Sequence, residues 1–547
     1  MANFKTHIGR YISEILMEHE KCQSMNAENK MGFLEEQDLS NVPSITEYYK
    51  GKTIFVTGGS GFMGKVLLEK LLYSCSDLDR IYVLLRSKKG VNPEDRLAAL
   101  YASECFSRLR KEKPGLFESK VFFIAGDCSE IGLGMSEEDR ALIVNRAHIV
   151  FHVAASVRFD DTLKVAAGLN LRGTRELVEL AKEIRNLEVL LHVSTSYANT
   201  NRDPIDEVVY PPHANWRDTL EVCEKMDEET LKHLTPKYLG ELPNTYVFTK
   251  QLAEHVVYEQ KGKLPVIIAR PSIVISAIEE PLPGWIENFN GPVGILIASG
   301  KGILRSVYSD PDLAADYIPV DVAIKMFIAG AWLRGTKKLE ATDEVEVYHC
   351  SSSHMQIMTV GEIVENGKEI LNEIPLDNVL WAQDGGVTKS RLYYNLRVLL
   401  FHLLPAILVD LVLRIIGRKP MLFKIQRRIY TANIALHPYL TQQWKFLNKN
   451  LLALREKLKL EDKKMFNYAV EMVDQLEYFK TGVRAGKMYL LNEKLEDLPK
   501  AKAHYRRMVI LDKTLRIALY SAVAWYVYSR DILFTALSYT YNAIIGL

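Results

Sequence analysis

Cysteine is scarce in this chain, and the few cysteines are scattered. The 547 residues include six of them, and no two form a C-x-x-C pair. A disulfide-stapled domain and a zinc site both lack the spacing that each needs. The sequence therefore predicts free thiols in a reducing compartment.

An excess of positive charge is also missing. Lys and Arg total 69 while Asp and Glu total 68, so no global basic field favours nucleic acid as a partner. The opening MANFKTHIGRYISEILMEHE carries charges throughout and lacks the apolar centre of a signal peptide. What is present, 48% hydrophobic and 25% charged residues, is typical of a large folded protein with more than one core.

Strand-like and helix-like runs alternate from Gly51 to about Ala269. The runs TIFVT, RIYVLL, KVFFIAG, HIVFHVA, VLLHVST and PVIIAR are separated by helical patterns such as FMGKVLLEKLLYS. This predicts an α/β fold with a doubly wound parallel sheet and helices on both faces. The segment from about 201 to 244 is interpreted as an insertion over the sheet edge, and that from about 270 to 348 as a loop-built substrate lid.

The glycines in TIFVTGGSGFMGK fit two spacings. Gly59, Gly61 and Gly64 match G-x-G-x-x-G, whereas Gly58, Gly61 and Gly64 match G-x-x-G-x-x-G. Either pattern, placed after a strand and before a helix, predicts a turn that lets the backbone approach a pyrophosphate. The helix N-terminus would point N–H groups at the phosphates.

The ends of the next strands suggest which dinucleotide binds. Arg86, Lys88 and Lys89 follow the second strand, where NAD enzymes carry an acid for the ribose 2′-hydroxyl. Cations there suit a 2′-phosphate, which favours NADPH; an ordinary solvated basic turn is the alternative. After the third strand, Asp127 could accept from the adenine amino group. The small Ala154, after the fourth, leaves room for the cofactor.

A candidate proton donor follows the fifth strand. Tyr246 and Lys250 are four residues apart, so they share one face of a helix. A free tyrosine has a pKa of about 10, and an adjacent ammonium lowers it. Tyr246 is then expected to deliver a proton near neutral pH. A hydroxyl from LLHVSTSYAN, at the carboxyl end of the fifth strand, would hold the substrate oxygen.

The glycines, HVSTSY and Y-x-x-x-K together resemble the extended short-chain dehydrogenase/reductase superfamily, as does NLRGT at 170–174. The resemblance implies the second glycine spacing and a catalytic role for Thr195, with Ser194 or Ser196 as alternatives. The predicted catalytic residues are Thr195, Tyr246 and Lys250, and no metal site is predicted. The predicted cofactor-binding residues are Thr57, Gly58, Ser60, Gly61, Phe62, Met63, Arg86, Asp127, Ala154, Tyr246, Lys250, Arg270 and Pro271.

Longer segments narrow the resemblance. TGGSGFMGKVLLEKLL, HVAASVRFD, PNTYVFTK, ARPSIV and PGWIENFNGP are similar to the alcohol-forming fatty acyl-CoA reductases of animals, and LEDKKMFNYAV to the family's sterile domain. Met63 replaces the Leu of many members, which conserves volume. The resemblance implies reduction of long-chain acyl-CoA to a primary alcohol with two NADPH, through a transient aldehyde. A membrane-bound steroid-type dehydrogenase and a non-catalytic NADPH-binding scaffold are the alternatives.

The predicted organisation has four parts. They are an N-terminal extension, an NADPH-binding reductase domain with its lid, a helical sterile-type domain and a membrane-associated tail, at 1–45, 46–350, 351–500 and 515–547.

Two C-terminal stretches are apolar enough to contact membrane lipid. YYNLRVLLFHLLPAILVDLVLRIIG contains Arg397, Asp410 and Arg414, which favours an interfacial or core helix over a spanning one. The tail has charges only at Arg530 and Asp531 after residue 517, so it is predicted to insert; a buried soluble helix is the alternative. Basic residues before the tail favour a catalytic domain on the cytosolic face of a peroxisomal or endoplasmic reticulum membrane.

Overall fold

The computed structural model describes residues 42–87, 90–289, 291–353, 358–468 and 473–529. The helices and strands named below all belong to one compact unit, Ser44–Leu547. The predicted N-terminal extension, 1–45, lies almost wholly outside the described residues, as does the end of the tail from 530 onward.

The described part of the chain contains eleven strands. In chain order they are β1 (Thr53–Thr57), β2 (Arg80–Leu85), β3 (Val121–Ala125), β4 (Ile149–His152), β5 (Val189–Val193), β6 (Val266–Pro271), β7 (Ile273–Ile275), β8 (Val307–Tyr308), β9 (Tyr317–Pro319), β10 (Glu346–Cys350) and β11 (Val387–Thr388).

Seven of these strands form one sheet in the order β10-β6-β5-β4-β1-β2-β3, and every pairing in it is parallel. The strand order reverses direction at β1, from which the chain first builds outward through β2 and β3 and then crosses to β4. Every residue of β1, β4, β5 and β6 is buried, because helices cover both faces of a parallel sheet. The predicted doubly wound α/β fold is confirmed.

Helices make up most of the remaining described chain. The α-helices are Ile45–Tyr49, Phe62–Ser74, Pro93–Ala102, Ser107–Glu112, Leu116–Lys120, Glu137–Arg146, Leu163–Ala166, Gly173–Glu183, Trp216–Lys225, Glu228–Leu239, Thr245–Tyr258, Gly291–Gly300, Val320–Gly335, Val360–Glu373, Arg391–Val398, Leu404–Ile415, Leu422–Thr441, Lys449–Glu456, Leu460–Phe466, Gln475–Ala485 and Leu498–Ser529. Single π-helical turns at Ala167–Arg172, Leu399–Leu403 and Gly486–Leu490 continue the helices beside them.

The segment 201–244 meets the sheet edge near its start, where Glu207 accepts from the backbone N–H of His349 in the edge strand β10 at 2.8 Å, and the interpretation is wrong for its two helices. Its two helices, Trp216–Lys225 and Glu228–Leu239, pack on the helical layer formed by residues 163–172 and Thr245–Tyr258. Leu220 and Cys223 are buried in the same apolar cluster as Phe248. Burial of these side chains against a helix face therefore decides where the insertion lies.

The expected loop-built lid at 270–348 is also wrong in its second half. The helix Val320–Gly335 is buried along nearly its whole length and packs on β5, β6 and the helix Phe62–Ser74. It is therefore a covering layer of the sheet. The strands β7 and β9, which pair in parallel, connect the end of β6 to this helix.

The C-terminal region is helical, as predicted, and packs back onto the reductase part. The backbone N–H of Ile205 donates to Lys445, and that of Leu447 donates to Ile205. Among the described residues, one helix, Arg391–Ile415, is long and apolar enough to cross a membrane by length and composition.

Candidate active site

The glycine turn follows β1 and begins the helix Phe62–Ser74. Gly58 has a φ of +77°, and a Cβ on it would lie 2.5 Å from the backbone N of Ala154. A Cβ on Gly64 would lie 2.2 Å from the carbonyl oxygen of Gly58. The Gly61 N–H donates to that same carbonyl at 2.9 Å. The left-handed residue and the closest backbone contacts thus fall where the G-x-x-G-x-x-G spacing expects them.

The side chain of Thr57, the last residue of β1, packs under the glycine turn and contacts His152 of β4. Its hydroxyl lies 2.7 Å from Nδ1 of His152, whose Nε2 lies 3.1 Å from the Thr174 hydroxyl. That hydroxyl donates to the carbonyl oxygen of Asn170 at 2.7 Å. Thr57 is fully buried and its hydroxyl binds the protein, and a contact of this residue with a cofactor stays a prediction.

Arg86 and Asp127, both predicted to bind the cofactor, form an ion pair with each other. The Nη1 of Arg86 lies 3.1 Å from Oδ2 of Asp127. Burial alone would raise the pKa of Asp127, but hydrogen bonds from Ser129 and Arg86 outweigh it and lower that pKa. Lys88 and Lys89 lie outside the described residues. The carboxylate at this edge is therefore ionised and paired, and an adenine contact to it stays a prediction.

A second guanidinium, which the sequence reasoning missed, lies beside the glycine turn. Arg96 donates through Nη2 to the hydroxyl of Ser60 at 3.1 Å, and through Nη1 to the backbone carbonyl of Arg86. Burial and the neighbouring charge of Arg86 lower the pKa of Arg96. Its position four residues after Asn92, which caps the helix Pro93–Ala102, puts it in the first turns of that helix. A basic residue at the start of this helix is the sequence feature that could have predicted a role for Arg96 at the glycine turn.

The catalytic candidates come together at the carboxyl end of β5. Thr195 directly follows this strand, and Tyr246 and Lys250 lie on the helix Thr245–Tyr258. That helix begins at Asn244, whose side chain accepts from the backbone N–H of Val247 at 3.0 Å. The ammonium of Lys250 donates to the carbonyl oxygen of Val193, the last residue of β5, at 2.7 Å.

The protonation of Tyr246 differs from the sequence-based expectation. Burial raises the pKa of Tyr246 to about 12, against an opposing hydrogen bond from Thr195. Burial lowers the pKa of Lys250 to about 8, against the opposing charge of Glu254. The hydrogen bond to Val193 uses one of the three N–H groups of the Lys250 ammonium. The expected net lowering of the pKa of Tyr246 is wrong, because burial outweighs the contacts that favour the phenolate, and the tyrosine keeps its proton at neutral pH.

The two alternative strand hydroxyls have different surroundings. The hydroxyl of Ser196 donates to the carbonyl oxygen of Arg270 at 2.7 Å and is fully buried. The Oγ of Ser194 is buried without a hydrogen-bond partner among the described residues. The hydroxyl of Thr195 accepts from the backbone N–H of Tyr197 at 3.3 Å, and hydrogen bonding by this hydroxyl opposes the burial that raises the pKa of Tyr246.

The side chain of Arg270, a residue predicted to bind the cofactor, has all its donors occupied by the protein, and a cofactor contact of this residue through its backbone stays a prediction. Arg270 is fully buried, and its Nε and Nη2 donate to the two carboxylate oxygens of Glu254 at 2.8 and 2.7 Å. Its remaining contacts are the carbonyl oxygens of Asp206 and Val208 and the Nε2 of His349. All five N–H groups of the guanidinium are therefore used within the protein. They connect the loop after β5 to the helix Thr245–Tyr258, which carries Glu254 and Tyr246.

The other predicted cofactor residues lie around the glycine turn and the strand ends. Phe62 and Met63 form the first turn of the helix Phe62–Ser74 and are partly buried. Ala154 follows β4, and Pro271 is the last residue of β6, paired with Cys350. Their contacts with a cofactor stay predictions.

The C-terminal helical region contributes an aromatic residue to this site. The hydroxyl of Tyr439 accepts from Nδ2 of Asn244 at 2.9 Å. The ring of Phe159 lies between it and Tyr246, with centroids 5.1 Å and 5.7 Å away. Tyr197 packs edge-on to Tyr439 at 5.2 Å. No sequence signal pointed to Tyr439, because it lies far along the chain from Tyr246 and meets it only through packing.

Two families of known proteins match most of this chain. Residues 56–327 match an NAD-binding family described as "Male sterility protein", and residues 401–493 match the Sterile family with the same description. The chain is 40% identical over 465 residues to human fatty acyl-CoA reductase 1, covering 85% of this chain and 90% of that protein. The chain belongs to the fatty acyl-CoA reductase family.

Other relatives agree with this membership. The chain is 35% identical to the Drosophila melanogaster fatty acyl-CoA reductase wat, over 92% of this chain and 98% of that one. The crystal structure of a nonribosomal peptide synthetase reductase domain from Mycobacterium tuberculosis is similar in fold, with a TM-score of 0.54, 18% identity, and coverage of 83% of this chain and 94% of that one. This fatty acyl-CoA reductase family member is an oxidoreductase with a nicotinamide-binding domain.

Proposed function

We propose that this chain reduces long-chain fatty acyl-CoA to primary alcohol with two NADPH, through a transient aldehyde. The observation that carries the proposal is the hydrogen bond of 2.7 Å from the Lys250 ammonium to the last carbonyl of β5, which holds the helix of Tyr246 beside the strand end that Thr195 follows. The chain is also 40% identical to human fatty acyl-CoA reductase 1. Carboxyl ends of parallel strands are where such sheets bind ligands.

The residues of the glycine turn fit a dinucleotide. A Cβ on Gly58 or Gly64 would collide with backbone, and one on Gly61 would lie 3.3 Å from the carbonyl oxygen of Gly58. The helix Phe62–Ser74 begins at this turn with its free N–H groups. Arg86 and Arg96 would hold a 2′-phosphate. When bound, the nicotinamide supplies the hydride.

In the first reduction, hydroxyls of the chain act on the thioester oxygen. Tyr246 and Thr195 would donate hydrogen bonds to the carbonyl oxygen while a hydride adds to its carbon, and Tyr246 would transfer its proton to that oxygen. The resulting hemithioacetal loses CoA as its C–S bond breaks, and the sulfur leaves as a thiol. Lys250 would stabilise the transient phenolate until Tyr246 regains a proton.

In the second reduction the aldehyde oxygen occupies the same position. A second hydride and a second proton from Tyr246 give the alcohol. The balance is one acyl-CoA, two NADPH and two protons, giving one alcohol, one CoA and two NADP⁺. Burial raises the pKa of the Cys128 thiol to about 12, so it stays protonated and is a poor nucleophile. Direct hydride attack on the thioester is therefore the mechanism proposed, without an acyl-enzyme.

The proposal also covers the domain arrangement and the association of the chain with a membrane. Residues 46–350 would form the reductase domain, 351–500 the sterile-type domain and 515–547 a membrane-associated tail. The helix Leu498–Ser529 supports this, since it exposes Trp525 and other apolar residues near its end. The catalytic domain would face the cytosol at a peroxisomal or endoplasmic reticulum membrane.

Incubation of the full chain with NADPH and acyl-CoAs of several lengths tests the activity. We expect alcohol and free CoA in equal amounts, with two NADPH consumed for each alcohol, measured by mass spectrometry and absorbance. Oxidation or reduction of a steroid without CoA release would instead identify a steroid-type dehydrogenase. Cofactor binding with no turnover of any acyl-CoA would identify a scaffold.

Cofactor choice is tested at the two guanidinium groups. Arg86→Ala and Arg96→Ala should each weaken NADPH binding by about tenfold or more and NADH binding by less than about threefold, because charge-assisted hydrogen bonds to the 2′-phosphate are lost. Calorimetry with both dinucleotides measures this. Arg217→Ala is the control, because Arg217 pairs with Glu259 on the outer helices. Equal losses for both cofactors would show that neither arginine contacts the 2′-phosphate.

A further inference from the structure

A stripe of large apolar side chains faces outward on the helix Leu404–Ile415. Leu404, Ile407, Leu408, Leu411, Val412 and Ile415 are between 46% and 76% exposed. Their spacing of three and four residues puts them on one face. The following residues Ile416, Met421 and Phe423 are exposed as well. A contiguous exposed surface of this kind marks an interaction site in a soluble protein.

Positive charge surrounds this stripe. Arg414, Arg418, Lys419, Lys424, Arg427 and Arg428 are all exposed, and residues 391–430 contain a single acidic residue, Asp410. Its carboxylate is only 8% exposed. It accepts from the backbone N–H groups of Met421, Leu422 and Phe423 at 2.9, 3.0 and 2.9 Å. Asp410 therefore caps the next helix and contributes no negative charge to the outer face.

The same cap folds the two helices into a hairpin, defined here as residues 391–441. Its inner face is fixed to the protein. Nε2 of His402 accepts from the backbone N–H of Arg305 at 3.1 Å, and Arg397 donates to the Arg305 carbonyl at 2.9 Å. A helix held to the protein by such polar contacts along one side exposes only its other side to lipid, which favours a position at the membrane surface over a transmembrane one.

The long C-terminal helix joins the hairpin at the same point. Arg305 lies 3.3 Å from Asp512, and Arg516 lies 2.6 Å from Asp384. Asp384 also lies 3.5 Å from Arg397 of the hairpin. Beyond Arg516 the C-terminal helix exposes Ile517, Tyr520 and other apolar residues. Two exposed apolar surfaces thus begin at one cluster of ion pairs.

We propose that the hairpin lies in the plane of an anionic lipid surface, with its apolar stripe among the acyl chains and its cations at the headgroups. Amphipathic helices with a basic polar rim bind such surfaces in this way. An exposed apolar stripe alone would be compatible with many partners. The six exposed cations around this stripe, with Asp410 turned inward, favour anionic lipid headgroups. The helix Leu422–Thr441 then runs from this surface to Tyr439, which contacts the catalytic helix through Asn244.

A fluorescent label reports the position of the hairpin in the full chain. With Cys22→Ser as background, an environment-sensitive dye is attached at Leu408→Cys or Val412→Cys, and at Leu460→Cys as the control. Leu460 is 83% exposed on another helix beside Glu461 and Lys464. The protein is mixed with phosphatidylcholine vesicles, with or without phosphatidylserine. We expect nitroxide lipids with shallow labels to reduce emission at 408 and 412 by at least about twofold, and to leave 460 unchanged.

Charge reversal tests the lipid class. Arg418→Glu, Lys419→Glu and Lys424→Glu together should raise the phosphatidylserine content needed for half of the label response by at least about twofold. Lys232→Glu, Lys237→Glu and Lys464→Glu make the same change in charge elsewhere and should leave the response unchanged. The tail is present in every variant, so a difference between the two sets belongs to the hairpin.

Three outcomes would overturn the proposal. Labels at 408 and 412 that stay in water while the chain floats with vesicles would show that other segments alone hold the membrane. Labels already shielded without vesicles would show that a second copy covers the stripe. Quenching only by nitroxides at the bilayer centre would show a spanning helix. None of these outcomes depends on acyl-CoA reduction, which is measured separately on the same samples.

Discussion

Tyr246→Phe is expected to abolish alcohol formation while leaving the fold and cofactor binding intact. The change removes one hydroxyl and keeps the ring that packs 5.7 Å from Phe159. Both proposed reductions take their proton from this hydroxyl, and burial keeps its pKa at about 12, so it is protonated at all ordinary pH values. Loss of a general acid lowers the rate by about 10²- to 10⁴-fold. Single-turnover measurements of both acyl-CoA and aldehyde reduction test this.

A matched control lies on the same helix. Tyr258 has its hydroxyl 3.5 Å from the carboxylate of Glu344, in an exposed position. Tyr258→Phe should leave both rates unchanged. Turnover of Tyr246→Phe close to the unsubstituted rate would refute the assignment of Tyr246 as the proton donor. In that case the buried, unpartnered hydroxyl of Ser194 would be the next candidate.

Glu254→Gln is expected to destabilise the protein by about 3–5 kcal/mol, because it leaves a buried guanidinium without its counter-ion. Arg270 is fully buried and Glu254 nearly so, at 0% and 2% side-chain exposure. The remaining partners of Arg270 are two carbonyl oxygens and the ring of His349, which do not neutralise a charge. The shift in the chemical unfolding midpoint, taken with the slope of the transition, measures the effect.

Removing both charges should cost much less than removing one. Arg270→Met combined with Glu254→Leu replaces the pair with apolar groups and should recover most of the lost stability. Glu221→Gln is the control, because Glu221 pairs with Lys225 on an exposed helix face, where such pairs contribute little. If Glu254→Gln unfolds at the same midpoint as the unsubstituted chain, the pair is not the tie between the loop after β5 and the catalytic helix.

The proposed active site depends on the C-terminal region for one of its walls. Tyr439 contacts Asn244, the residue that caps the helix carrying Tyr246, and Trp444 and Phe446 pack around Tyr197 beside Thr195. The two parts predicted as separate domains at residue 350 are therefore joined at the site of the chemistry.

Local sequence patterns were enough to predict the parallel sheet and the helices that cover it. Strand-like runs such as TIFVT, followed by helical runs, predicted the parallel sheet because buried strands and amphipathic helices differ in period. Gly58, Gly61 and Gly64 and the four-residue spacing of Tyr246 and Lys250 are also short-range features. The glycine turn and the shared helix face could be predicted because backbone conformation and helix faces depend on neighbours in sequence. The family resemblance, also carried by short motifs, was confirmed by the comparisons.

Only the tertiary structure decided how side chains from distant segments are paired. Arg270 belongs to a motif at the end of a strand, which predicted a cofactor contact. In the folded chain its guanidinium instead donates to the buried carboxylate of Glu254. Lys250 lies one turn from Tyr246, and folding brings the carbonyl of Val193 to one N–H of its ammonium, while burial raises the pKa of the tyrosine. Arg96 and Tyr439 reach the site from segments that carry no motif. Sequence spacing determines which residues share a face, whereas burial and hydrogen-bond partners across the fold determine what each of those residues can do.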